Sequence, residues 1–404
     1  MHQSARRLRI ASVCRTLPTP ENRAAGTFVA SRLAALAKLT SLRIVQPVPY
    51  FPVVRPLPEW LNGGDRTLQG VPVEAVPMFY LPRVLKSLDG RWLARCTGRK
   101  LAALGKRQWR ADVIDAHFGY PDGVGCVRVA QALGLPVFIT IRGSETDFLR
   151  QPAIARQLVH ALNTATGCIS VSHSLRRLVA EHGVDADKVR VIPNAVNREI
   201  FRPGPRGDAR RELGVDSNAR LIVSVGHLVA LKGHEVLIRA VHRLVRRYPT
   251  IQLMIFGGRA YERDHPAELQ GLIRELGLTP HVRLLGLLDQ DVISSWLRAA
   301  DLFALATERE GCCNAVLEAL ATGTPVITTP VGDNTHFVHA GINGSVVPVG
   351  DVGAFERTLA DALERSWDQR AISQGLEVGD WDHVAGRVLE FFTERLDSAG
   401  RSRE

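Results

Sequence analysis

Short apolar runs alternate with longer stretches of helical periodicity along almost the whole chain. In the first half, LRIASVC (8–14), LRIVQPV (42–48), DVIDAH (112–117), VFITI (137–141), CISVS (168–172) and VRVIP (189–193) have the length and composition of buried strands. Helical patterns such as 27–38 and 122–133 lie between them. The second half repeats the arrangement with LIVSVG (221–226), IQLMIFG (251–257), VRLLG (282–286), DLFAL (301–305), PVITT (325–329) and GSVVPV (344–349). Such alternation predicts an α/β fold of parallel sheets built from βαβ units. Between the halves, NAVNREIFRPGPRGDARREL is polar and rich in Gly and Pro, which suits a linker near 195–207. Two Rossmann-like domains facing one another across a cleft are therefore expected, residues 1–196 and 197–380, with ligands at the carboxyl ends of the strands. The last amphipathic pattern, DHVAGRVLEFFTERL (382–396), could pack on its own domain or return to the first.

Composition narrows this picture. A chain of 404 residues exceeds the size at which a single core usually keeps growing, which agrees with two domains. Apolar content of 45% with 6% aromatics is that of a soluble α/β protein. The N-terminus, MHQSARRLRIASVCRTLPTP, has an apolar run too short for a signal-peptide core, and no segment reaches membrane-spanning length. The six cysteines form no CxxC and no regular framework, so reduced thiols in a cytoplasmic protein are expected.

Charge is uneven. The net +10 arises entirely in residues 1–200, which hold 28 Lys/Arg against 14 Asp/Glu. The densest piece, Leu81 to Arg110, has nine bases and one acid, with Leu85, Leu88, Trp92, Leu93, Leu101 and Leu104 at helical spacing. It reads either as a solvated basic face on a core-packed helix or as a surface for anionic lipid or an anionic acceptor. No nucleic-acid-binding motif accompanies it.

The stretch EREGCCNAVLEALATGTPV (308–326) sets Glu310 and Glu318 eight positions apart around Cys313 and Asn314. Asn314 is expected as N-cap of a short helix, Ala315–Thr322, closed by Gly323. The free N–H groups of its first turn favour an anion. Acids flanking that position would repel a phosphate at contact distance but can accept from hydroxyls beyond it. A nucleotide sugar satisfies this pattern; a capping loop with one surface salt bridge is the plainer alternative. In SVGHLVALKGHEVLIRAV (224–241), Lys232 follows a strand, where it can offset phosphate charge, and His227 either helps hold phosphate or caps the loop. His117 closes a strand in DVIDAHFGYPDG and is either a satisfied core histidine or a group that polarises a substrate hydroxyl. TIRGSETD ends another strand with Arg142, Gly143 and Ser144, and Gly26 precedes a helix where bare backbone could approach a ligand. Cys312-Cys313 has no further ligands at useful spacing, so no metal site is expected.

Together these segments resemble family 4 of the retaining glycosyltransferases, which have the GT-B fold. EGCCNAVLEALATGTPVI resembles the family's E-x7-E signature, and VGHLVALKG its Gly-Arg-Leu…Lys-Gly loop. VRVIPNAVNREIFRP is similar to its inter-domain segment and GINGSVVPVGD to its late Gly-Asn-Gly motif. GTFVASRLAALAKL, AHFGYPDG and TIRGSETD look most like the branch that builds bacterial exopolysaccharides and wall polymers.

The resemblance implies a nucleoside diphosphate sugar as co-substrate, a sugar or lipid-linked acceptor, and no metal or other cofactor. It places Glu310 on the donor sugar, Glu318 on the ribose, and Lys232 on the diphosphate, aided by backbone N–H groups near Cys313 and Asn314. His117 is expected beside donor sugar and acceptor, Gly26 on the phosphate or acceptor side of the cleft, Arg142, Gly143 and Ser144 along the acceptor side, and Gly286 and Leu288 near the base. The final helix is expected to cross back to the first domain. An epimerase of the same fold and a non-catalytic nucleotide-sugar-binding partner are the other readings, and peripheral contact with the inner membrane face is open. His227 stands where the family usually has Arg, which loses a permanent bidentate grip on phosphate.

Overall fold

The computed structural model describes residues 7–23, 25–52, 55–62, 66–258 and 266–401; the first six residues of the basic N-terminus lie outside this range. The chain forms two compact units, one of residues 1–195 together with 381–404, the other of residues 196–380.

In the first unit the strands are β1 Arg9–Val13, β2 Ser41–Tyr50, β3 Arg66–Leu68, β4 Val71–Phe79, β5 Val113–His117, β6 Val137–Ile141, β7 Gly167–Ser170 and β8 Val189–Val191. They form one sheet in the order β3-β4-β2-β1-β5-β6-β7-β8, parallel except for β3, which runs antiparallel to β4. β1 pairs with β2 only as far as Val45, and Cys14 N–H still reaches the Val45 carbonyl. Pro47 and Pro49 share that side of β2 but lie beyond β1, so their missing N–H groups leave no ladder bond unmade.

The helix Trp381–Arg401 belongs to this first unit, as the resemblance implied. Val384, Ala385, Val388, Phe391 and Phe392 share one core with Leu33, Leu36, Ile44, Val113 and Phe138. Phe392 stacks on Phe138 with centroids 4.0 Å apart, and Phe391 meets the same ring edge-on at 5.7 Å. The basic segment folds as the helix Asp89–Lys106, whose Leu93, Thr97, Leu101 and Leu104 are buried while Arg91, Arg95, Arg99 and Lys106 face outward. A core-packed helix with a solvated basic face is what forms.

The second unit contains β9 Arg220–Val225, β10 Ile251–Phe256, β11 Val282–Gly286, β12 Leu302–Leu305, β13 Val326–Thr328 and β14 Gly344–Val346. All are parallel, in the order β11-β10-β9-β12-β13-β14, the doubly wound arrangement of a Rossmann sheet. Alternate residues feed two cores. Ile222, Leu253 and Leu302 pack under the helices His234–Leu244 and Val352–Glu364. Leu221, Val223, Met254 and Phe303 pack under Gln290–Ala299 and Asn314–Ala321.

Candidate active site

In the second unit, strand order reverses between β9 and β12, and ligands of such sheets bind where the strand ends diverge at that point. The two loops that leave this point are stitched together. Glu308 N–H donates to the Leu231 carbonyl at 2.8 Å, and Thr307 Oγ1 donates to the same oxygen at 3.1 Å. Gly233 has φ +65°, and a Cβ there would lie 2.0 Å from the Ala306 carbonyl oxygen, so only glycine lets the loops touch. Buried His234 faces the carbonyls of Gly226 and His227 with Nε2, at 3.4 and 3.2 Å; burial pulls its pKa down to about 4, keeping the ring neutral.

This stitching brings Lys232 and Glu310 together, Nζ to Oε1 at 2.5 Å, with side chains 20% and 10% exposed. Burial works against the lysine's charge, but Glu310 outweighs it and raises its pKa, so the side chain is cationic throughout the neutral range. The helix Asn314–Ala321 begins beside this pair. Its N-cap is Cys313 rather than Asn314: the Asn314 N–H turns back to the Cys312 carbonyl at 3.1 Å, and Asn314 itself becomes the first helical residue. No side chain caps the helix, and the N–H groups of Cys313 and Ala315 have no backbone acceptor among the described residues. Open N–H groups at a helix start, with an ammonium close enough to act on Cys313, are the elements from which anion sites are built. Burial holds the Cys313 thiol far above its usual range, so it stays protonated.

Glu318 lies one helical turn further on. The protein around its carboxyl pushes its pKa up to about 8, with no hydrogen-bond donor among the described side chains, so the acid is largely neutral at pH 7 and able to both donate and accept. His227 is largely exposed at the same loop; the protein packed against one side of it and the Lys232 charge lower its pKa. Gly286 ends β11 with its carbonyl taken by Gly257 N–H at 2.8 Å, and Leu288 is half-buried in the following loop.

The first unit assembles a second group at the carboxyl ends of β5 and β6. His117 is wholly buried, with Nε2 3.0 Å from Asp115 Oδ2 and Nδ1 3.1 Å from an Arg142 amino group. Arg142 is a donor only, so Nδ1 accepts and Nε2 carries the proton. Burial lowers the His117 pKa to about 4. In this arrangement His117 is a satisfied core histidine, its two nitrogens taken by the chain itself rather than offered to a cleft. Arg142 also donates to Asn194 Oδ1 at 3.0 Å and lies over Phe28; burial and nearby Arg32 lower its pKa to about 9. Asp115 further accepts from Ser12 at 3.0 Å and from Arg32 at 3.4 Å; although burial opposes ionisation, His117 and Arg32 hold its carboxyl well below the usual range. Glu145 receives the N–H groups of Gly119, Arg142 and Gly143 at 2.7, 3.0 and 2.8 Å. Three buried polar atoms here have no partner: Arg142 Nε, Arg32 Nε and Ser144 Oγ.

Gly26 needs a different account from the one its sequence suggested. With φ +62°, a Cβ would sit 2.0 Å from the Thr16 carbonyl oxygen, so its bare Cα meets the chain's own backbone rather than a ligand. Residues that sequence reasoning passed over are Asp115, Arg32, Glu145, Asn194 and His234. Asp115 could have been found, since an acid two places before His117 in an apolar strand shares its face. Arg32 sits among Val29, Leu33 and Leu36 on a buried helix stripe, also a readable anomaly. Among the described residues no group of three or more His, Cys, Asp or Glu is arranged to hold a metal ion, and no helix is long and apolar enough to cross a membrane.

Two family profiles match the chain: Glycosyltransferase Family 4 over residues 60–200 and Glycosyl transferases group 1 over residues 205–375. The D-inositol 3-phosphate glycosyltransferase of Thermobispora bispora is 31% identical over 316 residues, covering 72% of this chain and 73% of that protein. For several other proteins of that name the chain spans about half of their length, 51%. Among solved structures, sucrose-phosphate synthase from Thermosynechococcus elongatus has a TM-score of 0.76 at 19% identity, covering 97% of this chain and all of that one. Anabaena HepE, in complex with UDP and glucose, has a TM-score of 0.74 at 19% identity, covering 96% and 99%. At that identity the likeness is one of fold.

Proposed function

The chain belongs to glycosyltransferase family 4 and has the GT-B fold, and from that premise we propose that it moves a sugar from a nucleoside diphosphate sugar to an acceptor hydroxyl with retention of anomeric configuration. The observation that carries this reading is the Lys232–Glu310 pair set against the open N-terminus of the helix Asn314–Ala321 at the sheet's switch point. A diphosphate entering there competes with Glu310 for the ammonium. Lys232 and the open N–H groups then face the leaving diphosphate, and Glu310, released, accepts from donor-sugar hydroxyls. Each preorganised donor of this kind is typically worth about 3–4 kcal/mol in the transition state. Glu318, one turn away and largely neutral, suits the ribose hydroxyls as both donor and acceptor. The sugar becomes oxocarbenium-like as the bond to phosphate breaks, and the acceptor attacks from the face the phosphate leaves. No glutamate need form a covalent bond, and the positive charge comes from Lys232 and the helix rather than from a metal.

A uridine nucleotide is the proposed donor base, supported by the UDP bound to HepE. The proposed acceptor is a lipid-linked or polysaccharide intermediate reached from the cytoplasmic side. The outward arginines of the helix Asp89–Lys106 and the exposed Val84 and Leu85 just before it, 56% and 60% accessible, support contact with an anionic membrane surface. A second reading, a small phosphorylated polyol as acceptor, is favoured by the name its curated relatives share and by the unpartnered Nε atoms of Arg32 and Arg142.

The test is to incubate purified protein with a panel of nucleotide sugars, with and without a lipid-linked sugar diphosphate or inositol 3-phosphate. Acceptor-dependent release of nucleoside diphosphate, with an axial or equatorial anomer matching the donor by NMR, supports retaining transfer. Isomerisation of donor without acceptor identifies an epimerase, and binding without turnover a non-catalytic partner; either outcome overturns the proposal.

A further inference from the structure

The face of the second unit at which its strands begin carries a cavity of about 700 Å³, away from Lys232 and Glu310. Arg206, Arg210, Arg211 and Arg220 line it, with Asp301 as its single acid. Two hollows of about 490 and 350 Å³ share Arg206 and continue it toward Trp367 and Arg370. β9 runs from Arg220 in this basin to the Gly226–Lys232 loop, so six residues of strand, about 20 Å, separate the two places.

The acids around the basin are already committed. Asp301 accepts from Arg206 at 3.0 Å, Arg210 at 2.8 Å and the Leu221 N–H at 2.7 Å. Asp208 pairs with Arg211, Glu364 accepts from the Tyr248 hydroxyl at 2.7 Å, and Asp368 caps its own helix through the N–H groups of Arg370 and Ala371. Arg210 is fully used, its other nitrogens donating to the carbonyls of Ala299 and Ser217. Arg206 and Arg220 are not. Arg206 Nε is buried without an acceptor, and Arg220 makes one bond, to the Leu363 carbonyl at 3.2 Å. Guanidinium groups present planar forks that match phosphate oxygens, and surplus positive charge held in a concave, partly desolvated setting attracts a multiply charged anion.

We infer that this basin is a second anion site, taking a diphosphate or phosphate ester on Arg206 and Arg220, separate from the site at Lys232. Calorimetric titration of the full-length chain with inorganic pyrophosphate at low salt tests it. Wild-type protein is expected to bind two equivalents, and Lys232→Met to keep one of them. Arg220→Gln removes only one bond to a carbonyl, so the fold should persist; it is expected to weaken the equivalent that Lys232→Met retains by at least tenfold. Arg206→Gln should do the same, with thermal unfolding recorded alongside. An Arg220→Gln isotherm that matches wild type overturns the inference. So does loss of all binding in Lys232→Met alone, or a shallow uptake of many equivalents that neither arginine variant changes.

Discussion

Replacing Lys232 by Met removes the cation from a pair whose partner stays behind, and the structure sets the size of the effect. At 2.5 Å and an effective dielectric of about 20, the attraction between the two charges is about 7 kcal/mol before desolvation is counted. Side chains 20% and 10% exposed have given up much of their hydration, which offsets most of that attraction. A net coupling of about 1–3 kcal/mol remains, between the values for exposed pairs and for broken buried pairs. A double-mutant cycle reads this directly. Lys232→Met is expected to destabilise the chain in urea unfolding by about 2 kcal/mol, and adding Glu310→Gln to restore most of it, because the stranded carboxylate is then gone. Activity should behave otherwise. If Lys232 meets the leaving diphosphate, kcat/KM falls by about 10²–10³-fold in the single variant and stays down in the double. Recovery of activity in Lys232→Met/Glu310→Gln would show that the lysine only neutralises Glu310, and the proposed chemistry would fail with it.

Glu318 ionises near 4.5 in an unfolded chain and near 8 in the fold, so unfolding releases a proton between those values. The stability its neutral form contributes is fully present below about 4.5 and declines as pH rises to about 8. Glu318→Gln should therefore gain on wild type between pH 5 and pH 8, by about 1–3 kcal/mol; a melting-temperature difference that does not vary with pH would contradict this. Gly26→Ala should cost about 2 kcal/mol or more in unfolding experiments, through the clash with Thr16, whereas a change confined to substrate KM would favour a ligand-facing role. Phe392→Ala should cost about 3–5 kcal/mol, as an aromatic lost from a closed core, measured by the same unfolding curves. Pelleting with anionic vesicles should weaken as salt rises and fall further when Arg91, Arg95 and Arg99 are changed to Gln; binding indifferent to both would remove the membrane contact.

The twelve expected strands were readable because most are apolar runs buried on both faces of a parallel sheet, which leaves a near-continuous hydrophobic signature; the edge strands β8, β11 and β14 are only partly buried and carry it in shorter form. β3 and β4 escaped notice. VPVEAVPMF carries two prolines and a glutamate, and its pairing depends on β2 and β3, which lie elsewhere in the sequence. At the candidate site, Lys232 and Glu310 were legible because residues that follow strand ends in a doubly wound sheet have few other places to go. The Asn314 cap was misplaced by one residue because its side chain suggested a role that its backbone, turned toward Cys312, does not take. Asp115, Arg32 and Glu145 were harder to see. A buried charge is recognised by its partners, and theirs stand 83 positions apart in one pair and 26 in another. His117 shows the same limit: sequence puts it at a strand end, but only the fold reveals that Asp115 and Arg142 already occupy its ring.

The helix Trp381–Arg401 gives the chain an unusual order of completion. Phe138 leaves the ribosome roughly 250 residues before Phe391 and Phe392, the rings that close over it. Synthesis at about 5–20 residues per second makes that a wait of tens of seconds. The unit begun first must hold its half-built core open, while the unit begun second, being continuous in sequence, has every residue it needs and can finish ahead of it. Chains truncated near residue 380 and released should accordingly protect the later half from protease and leave the earlier half vulnerable.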